Sequence, residues 1–385
     1  MDFAPTPEQQ ALCDKVVRFA QDNLGAQVAE HDRNATFDEA GWKACADFGV
    51  LGWPIPKEYG GSGLDPLTSI MAYEALGYGC VDNGLVFAIN NHLFACAVYI
   101  ADHGTEEQRK RWLPALCDGS LVGAHALSEP ETGSDMLSLT TTAVRDGDTY
   151  VLNGTKKFIS NGPRADLFIV FARTGDSGAP QRALSAFIVP ADTPGLSARD
   201  IPKAGLRGTL MGEITFDNCV LGADQLLGAE GAGYQLFTAT MEWERGFMFA
   251  SQVGVLNRLL DRCVDHATAR RQFGRAIGSF QSVSNKIADM RVRLELARLM
   301  LYKVGWLRSQ GRLAMQEASM LKLYVSEALK TTALDAMQIH GARGYTEELG
   351  IEREVRDVLA GTIYGGTSDI QRSIIAGLMG LPTAA

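Results

Sequence analysis

Between Glu8 and Asn23 the apolar residues Leu12, Val16, Val17, Phe19 and Ala20 recur close to a 3.6-residue period, which predicts an amphipathic helix. The stretches 35–50, 65–80 and 84–103 repeat that period, and turn clusters such as Pro54-Ile55-Pro56 and Gly60-Gly61-Ser62-Gly63 separate them. Near Val122 the pattern changes. Residues 149–152, 166–172, 183–189 and 212–216 are short apolar runs of the kind that form strands, and Asn153-Gly154 after the first predicts a hairpin turn. From Gly231 the helical period returns, with long helices expected over 233–270, 280–308, 315–340 and 366–377. Helices, then strands, then helices argue for segregated domains and against an alternating βαβ chain. The expected architecture is α+β multidomain: an N-terminal α-helical domain (1–122), a central β domain (123–230) and a C-terminal helical bundle (231–385).

Motif absences narrow the chemistry. No GxGxxG and no GxxxxGK[ST] occurs, so a Rossmann site and a P-loop lose their main signal. Lys and Arg number 36 against 45 Asp and Glu, a net charge of −9, which disfavours nucleic acid and anionic membrane surfaces. The six histidines are scattered without an HExxH or a Cys/His cluster, so no metal is expected. Seven cysteines without CxxC spacing fit reduced thiols and a cytoplasmic location. The N-terminus has no basic cluster followed by an apolar core, and no run approaches the roughly 18 apolar residues of a spanning helix.

Five segments carry candidate chemistry. Ala126-Leu-Ser-Glu-Pro-Glu-Thr-Gly-Ser-Asp135 concentrates hydroxyls and backbone donors that suit a polar ring edge or a phosphate. On spacing alone it also fits an ordinary polar loop. In Gly154–Gly162, Phe158 and Ser160 share one strand face, an aromatic beside a hydroxyl, which suits a flat heterocycle, although seen alone a half-buried strand with a core Phe is the commoner case. Arg270-Arg-Gln-Phe-Gly274 with Phe280-Gln281, and Gln338-Ile-His-Gly-Ala-Arg-Gly-Tyr345 followed by Arg353 and Arg356-Asp357, place arginines and glycines at helix ends. Solvated helix termini explain each of these as well. Ile363-Tyr-Gly-Gly-Thr-Ser-Asp-Ile-Gln371 is a glycine turn leading into a helix that Thr367 or Ser368 would cap.

In order, spacing and content these five segments resemble the acyl-CoA dehydrogenase family of flavoproteins over essentially the whole chain. ALSEPETGSD resembles its first signature, QIHGARGYTEELGIEREVRD its second and IYGGTSDIQR its terminal motif. The resemblance implies FAD between the β domain and a C-terminal four-helix bundle, commonly in a homotetramer. It implies that Leu127, Ser128, Gly133 and Ser134 contact or edge the flavin, and that Phe158 and Ser160 lie against it. Arg270 and Gln281, with Gln338, Ile339, Gly341 and Ala342, would reach the FAD of a neighbouring subunit. Thr367 and Asp369 would close the flavin side, while Ser134, Arg245 and Gly365 would meet the substrate.

One departure matters. Many family members carry the catalytic glutamate in the terminal motif where this chain has Gly365. Placed at 100° per residue, Phe237, Met241, Glu244, Met248, Ser251 and Val255 fall within about 40° of one line. Glu244 is thus a carboxylate on an apolar stripe, where the charged form is disfavoured and a pKa suited to a general base is expected. An ion pair with an arginine is the other usual fate of such a group. Glu242 lies off the line and is expected in solvent. Isovaleryl- and long-chain-type members of the family supply their base from this helix just before an arginine, and Glu244-Arg245 resembles that arrangement.

The resemblance therefore implies α,β-dehydrogenation of an acyl thioester, most simply an acyl-CoA. An acyl or aminoacyl (prolyl) group on a carrier protein is the alternative, and a non-catalytic flavin-binding scaffold is an alternative of another class. An electron-transfer flavoprotein or oxygen would accept the electrons.

Overall fold

The computed structural model describes residues 4–175 and 178–382. Seven helices precede the first strand: α1 (Pro7–Asn23), α2 (Val28–Asn34), α3 (Glu39–Phe48), α4 (Pro66–Gly79), α5 (Asn83–His92), α6 (Val98–His103) and α7 (Glu106–Cys117). Local chemistry sets their starts. Thr6 and Gln9 form a capping box with Pro7 in the first turn of α1, and Asp65 and Asp82 cap α4 and α5. A π-helical turn, Leu93–Ala97, joins α5 to α6. The resulting stretch Asn83–His103 is, by length and composition alone, long and apolar enough to cross a membrane, but 89% of its apolar window is buried inside the protein. It is a core helix.

The central sheet comprises β1 (Gly123–Ala126), β2 (Thr142–Asp146), β3 (Thr149–Ser160), β4 (Leu167–Arg173), β5 (Leu184–Pro190), β6 (Leu196–Asp200), β7 (Met211–Gly222) and β8 (Leu226–Leu227). Their order is β6-β7-β3-β2-β4-β5-β8, with β1 parallel to β4. In β4 and β5, Ile169, Phe171, Ala186 and Ile188 join the helical core, while Phe168, Val170, Phe187 and Val189 fill a second core within the β domain. Burial on both faces explains why these strands read as continuous apolar runs.

The hairpin expected at Asn153-Gly154 is not there. β3 runs through both residues, and the turn falls at Gly147-Asp148, with Asp146 paired to Thr149. Register against β7 slips between Leu152 and Gly154, and Gly154 takes φ +143° with no room for a Cβ beside Thr141. The Asn-Gly pair marks a bulge.

The C-terminal part contains α8 (Gly233–Glu242), a second π-helical turn (Trp243–Phe247) and α9 (Ala250–Ala269). A small hairpin follows, β9 (Arg271–Gln272) with β10 (Arg275–Ala276), which the periodicity did not show. Then come α10 (Gln281–Ser309), α11 (Met315–His340), α12 (Ala342–Tyr345), α13 (Ile351–Val358) and α14 (Ser368–Leu378). α9 packs against α4, α10 and α11. The α4 crossing is close because Gly77 and Gly254 meet backbone where a side chain would have to stand, Gly77 against Ser251 and Gly254 against Glu74. The helix bearing Glu244 therefore runs through the middle of the molecule.

Candidate active site

Glu244 and Arg245 lie in the π-helical turn Trp243–Phe247. Such turns insert one extra residue and are frequent at functional sites. This one packs on the π-helical turn Leu93–Ala97, with Phe94 stacked on Trp243 at 6.2 Å and tilted on Phe247 at 5.9 Å. Trp243 also donates to Asp102 at 3.0 Å, so Trp243 and Phe247 belong to the core. Every residue from Met241 to Ser251 is buried, and this corrects the reading of Glu242. Its carboxylate is 2% exposed, pairs with Arg308 at 3.0 Å and accepts from the Ala314 amide. A helix surrounded on all sides has no solvent face for a wheel to find.

Glu244 escapes that pairing. Among the described residues no Lys or Arg nitrogen lies within 4 Å of its carboxylate; its neighbours are the Tyr99 hydroxyl, donating to Oε1 at 3.3 Å, and His125 Nδ1 at 4.0 Å. Burial pushes its pKa up to about 8, against the opposing pull of the Arg245 charge and the Tyr99 hydrogen bond. Tyr99, His125, Phe171 and Phe237 form an aromatic wall beside it, with ring centroids 5.2 to 6.4 Å apart. His125 is held neutral, its pKa pushed down to about 3 by burial and then by the Lys156 charge, and its Nε2 is buried without a partner.

Arg245 points the other way along the turn. Its Nε donates to the Gly365 carbonyl at 3.2 Å, which Gln371 also holds at 2.9 Å. This contact joins the π-helical turn that carries Glu244 to the terminal motif. Gly365 has φ +64°, a Cβ there would touch nothing within 4 Å, and its amide donates to no group among the described residues. Thr367 caps α14 through a hydrogen bond from the Ile370 amide, and exposed Asp369 pairs with Arg372.

A buried ion pair shapes the other wall. Lys156 Nζ reaches Glu129 at 2.9 Å and the Leu127 carbonyl at 2.9 Å, while Glu129 also takes the Thr140 and Thr141 amides. Burial pushes Glu129 up, but Lys156 and these hydrogen bonds more than offset it and bring its pKa to about 2. The pair pins the loop of Leu127 and Ser128 to β3 and leaves Gly133 and Ser134 exposed. On β3, Phe158 and Ser160 flank inward-facing Ile159; Phe158 sits at a bulge with φ +64° and is 53% exposed.

The remaining residues lie elsewhere. Arg270 follows the C-terminus of α9, a helix of 20 residues and so about 30 Å long. Arg270, Gln281, Gln338, Gly341 and Ala342 are exposed; Ile339 packs inward. His266 and His340 stack at 4.3 Å and hold the ends of α9 and α11 together, so this set forms one end of the bundle, remote from Glu244 in the same chain. Arg356 is taken by Asp32 on α2. His31, Asp38 and Asp82 form the one His–carboxylate group among the described residues with metal-ligand proximity, and both aspartates already cap helices. All seven cysteines are free thiols.

Sequence reasoning missed Tyr99, His125 and the Lys156–Glu129 pair. For His125 a signal existed: it stands in the short run Gly123–Ala126 that leads into the first motif.

A helical domain, a β domain and a helical bundle thus meet around a buried carboxylate with no Lys or Arg nitrogen within 4 Å among the described residues. The sequence matches, by description, the acyl-CoA dehydrogenase N-terminal domain over residues 6–120, the middle domain over 124–219 and the C-terminal domain over 231–379. The chain belongs to the acyl-CoA dehydrogenase family, oxidoreductases acting on CH–CH groups. It is 40% identical to an L-prolyl-[peptidyl-carrier protein] dehydrogenase of Pseudomonas fluorescens, over 98% of this chain and 99% of that one. It is 34% identical to a short-chain specific acyl-CoA dehydrogenase of Clostridium acetobutylicum, over 98% and 99%. Among solved structures, the prolyl acyl carrier protein oxidase AnaB superposes with a TM-score of 0.96 at 46% identity, covering 98% of this chain and 100% of that one. The FAD complex of PigA gives 0.96 at 39%, covering 99% and 100%.

Proposed function

We propose that this chain is an FAD-dependent dehydrogenase of a small aminoacyl thioester, L-prolyl on a carrier protein, with Glu244 as the base. The single observation that carries the base is the position of Glu244: buried, free of any cation partner within 4 Å, and linked through Arg245 to the glycine that replaces the usual terminal carboxylate. The prolyl preference draws on AnaB and the Pseudomonas relative, and on the aromatic wall of Tyr99, His125, Phe171 and Phe237, which fills the space beside the base and suits a small ring. The short-chain relative supports acyl-CoA as the second reading.

The residues present fit FAD. His125 Nε2 is a buried ring nitrogen with no protein partner, Phe158 offers an exposed aromatic face, and the hydroxyls of Ser128 and Ser134 stand beside the pinned loop. Leu127, Ser128, Gly133, Ser134, Phe158, Ser160, Thr367 and Asp369 would hold it; FAD would supply the acceptor for the β-hydrogen and its electron pair. Glu244 takes the α-proton onto a carboxylate oxygen. The free amide of Gly365 binds the thioester carbonyl, stabilising negative charge as it develops there. Arg245 holds Gly365 in place from behind, and Ser134 lines the substrate path.

Arg270, Gln281, Gln338, Ile339, Gly341 and Ala342 stand about 30 Å of helix away from Glu244, so their role toward FAD requires a second subunit. We assign them to a homotetramer. The division at 1–122, 123–230 and 231–385, an electron-transfer flavoprotein or oxygen as acceptor and a cytoplasmic location complete the proposal.

Anaerobic titration of the FAD-loaded protein tests it. L-prolyl-loaded carrier protein should bleach the flavin, butyryl-CoA should do so more slowly, and Glu244→Gln should bind FAD but not bleach with either. Normal bleaching in that variant would place the base elsewhere.

A further inference from the structure

Glu244 is buried with 9% of its side chain exposed, and bound FAD and thioester would cover that remainder, so a proton it takes from substrate needs another way out. Two helices supply facing side chains one turn apart: Tyr99 and His103 on α6, Thr240 on α8 and Glu244 just beyond it. These four interleave across the helix pair. The Tyr99 hydroxyl donates to Glu244 Oε1 at 3.3 Å, the Thr240 side chain stands near enough to the Tyr99 phenol to favour its ionised form, and His103 Nε2 lies 3.2 Å from Thr240 Oγ1. Tyr99, Thr240 and Glu244 are buried, whereas His103 is only half-buried and neighbours exposed Asp102.

We propose that Tyr99, Thr240 and His103 form a proton relay that connects the base Glu244 to solvent. This rests on Glu244 being the base. In the step, the carboxylic O–H bond of Glu244 breaks as its proton passes to the Tyr99 oxygen. The Tyr99 proton passes to Thr240 Oγ1, the Thr240 proton to His103 Nε2, and the imidazolium releases its Nδ1 proton to water. One proton leaves, no electrons move, and each hydroxyl ends with the one proton it began with. Both hydroxyls can rotate to reset the chain; Thr240 otherwise donates to the Leu236 carbonyl at 2.9 Å.

The charges around each end agree with this direction. His103 faces Asp102, which favours its cationic form, and Arg109, which opposes it; burial dominates and lowers its pKa, so it rests neutral and able to accept. Around Glu244 stand Arg245, Tyr99 and His125, and of these only Arg245 is charged, because His125 is held neutral. His125 faces Glu244 from β1, but its pKa of about 3 makes it a poor receiver for this proton.

The test follows the proton separately from the flavin. At pH 9 in weak buffer with an indicator dye, the FAD-loaded enzyme is mixed anaerobically with L-prolyl-loaded carrier protein, or with butyryl-CoA. In the unaltered protein one proton should appear in solvent together with bleaching. In His103→Gln and in Thr240→Val, chosen to keep side-chain volume, proton appearance should lag bleaching by about tenfold or more, and free imidazole should shorten the lag in His103→Ala. A second readout needs no substrate. After a jump from pH 6 to pH 9, loss of the Glu244 carboxylic C=O band in the infrared should slow in the same variants. Proton release that keeps pace with bleaching in both variants, or an unchanged infrared decay, would overturn the relay. Failure of the base assignment is distinguishable, because it would show as normal bleaching in Glu244→Gln.

Discussion

Replacing Glu244 by Gln should make the protein more stable while it abolishes bleaching, and the gain should grow with pH. The carboxyl has a pKa of about 8 in the fold, against an ordinary value of 4.5. Between those two values the folded chain keeps a proton that the unfolded chain has lost. Stability from this group is therefore fully present below pH 4.5, falls as pH rises, and levels off above about 8. The gap, 8 − 4.5 = 3.5 pH units, corresponds to about 5 kcal/mol at pH 9. At pH 6 only about 2 kcal/mol of that penalty has developed, so about 3 kcal/mol separates the two conditions. Glutamine cannot ionise and escapes the penalty, and its Oε1 still accepts from Tyr99, so that buried hydroxyl keeps its acceptor. For a chain of this length the added gain between pH 6 and pH 9 amounts to a rise in Tm on the order of 5 °C. Thermal unfolding by circular dichroism at the two pH values, with and without FAD, measures it. A variant whose advantage stays flat or shrinks from pH 6 to pH 9 would refute the burial argument on which the base rests.

Other consequences concern the same walls. Only ionised Glu244 acts as a base, so the first-turnover bleaching rate should climb about tenfold between pH 7 and pH 9 with a midpoint near 8; a flat profile would contradict it. Lys156→Met leaves Glu129 buried without its cation, which should cost about 3–5 kcal/mol in denaturant unfolding and weaken FAD retention on gel filtration. Gly365→Glu in the Glu244→Gln background returns a carboxylate to the terminal motif. The new Cβ meets nothing within 4 Å, the φ of +64° costs about 1–2 kcal/mol, and stopped-flow bleaching should recover in part.

The order of helices and strands was legible in the chain because amphipathic period is local. Each helix or strand carries its own apolar stripe, and Thr6, Asp65 and Asp82 announce helix starts within a few residues. The first, second and terminal motifs were legible for the same reason, and so was Glu244 as a carboxylate on an apolar line. Asn153-Gly154 was misread because a bulge and a hairpin share one local signature, and only the partner strand decides between them. Glu242 was misread because a helical wheel assumes one face in water, whereas the helix through Met241–Ser251 is enclosed by α4, α10, α11 and the other π-helical turn.

Tyr99 and His125 lie 145 and 119 residues before Glu244 in the chain, since 244 − 99 = 145 and 244 − 125 = 119. No pattern along the sequence encodes such pairs. Glu242 and Glu244 are the same residue type two positions apart, with opposite fates. The sequence by itself determined that Glu244 stands on an apolar helical stripe, but it put Glu242 in solvent. Only tertiary packing decided which one met the Arg308 guanidinium and which met a phenol and a neutral imidazole, because the free energy of a buried charge depends on what stands within a few ångströms of it.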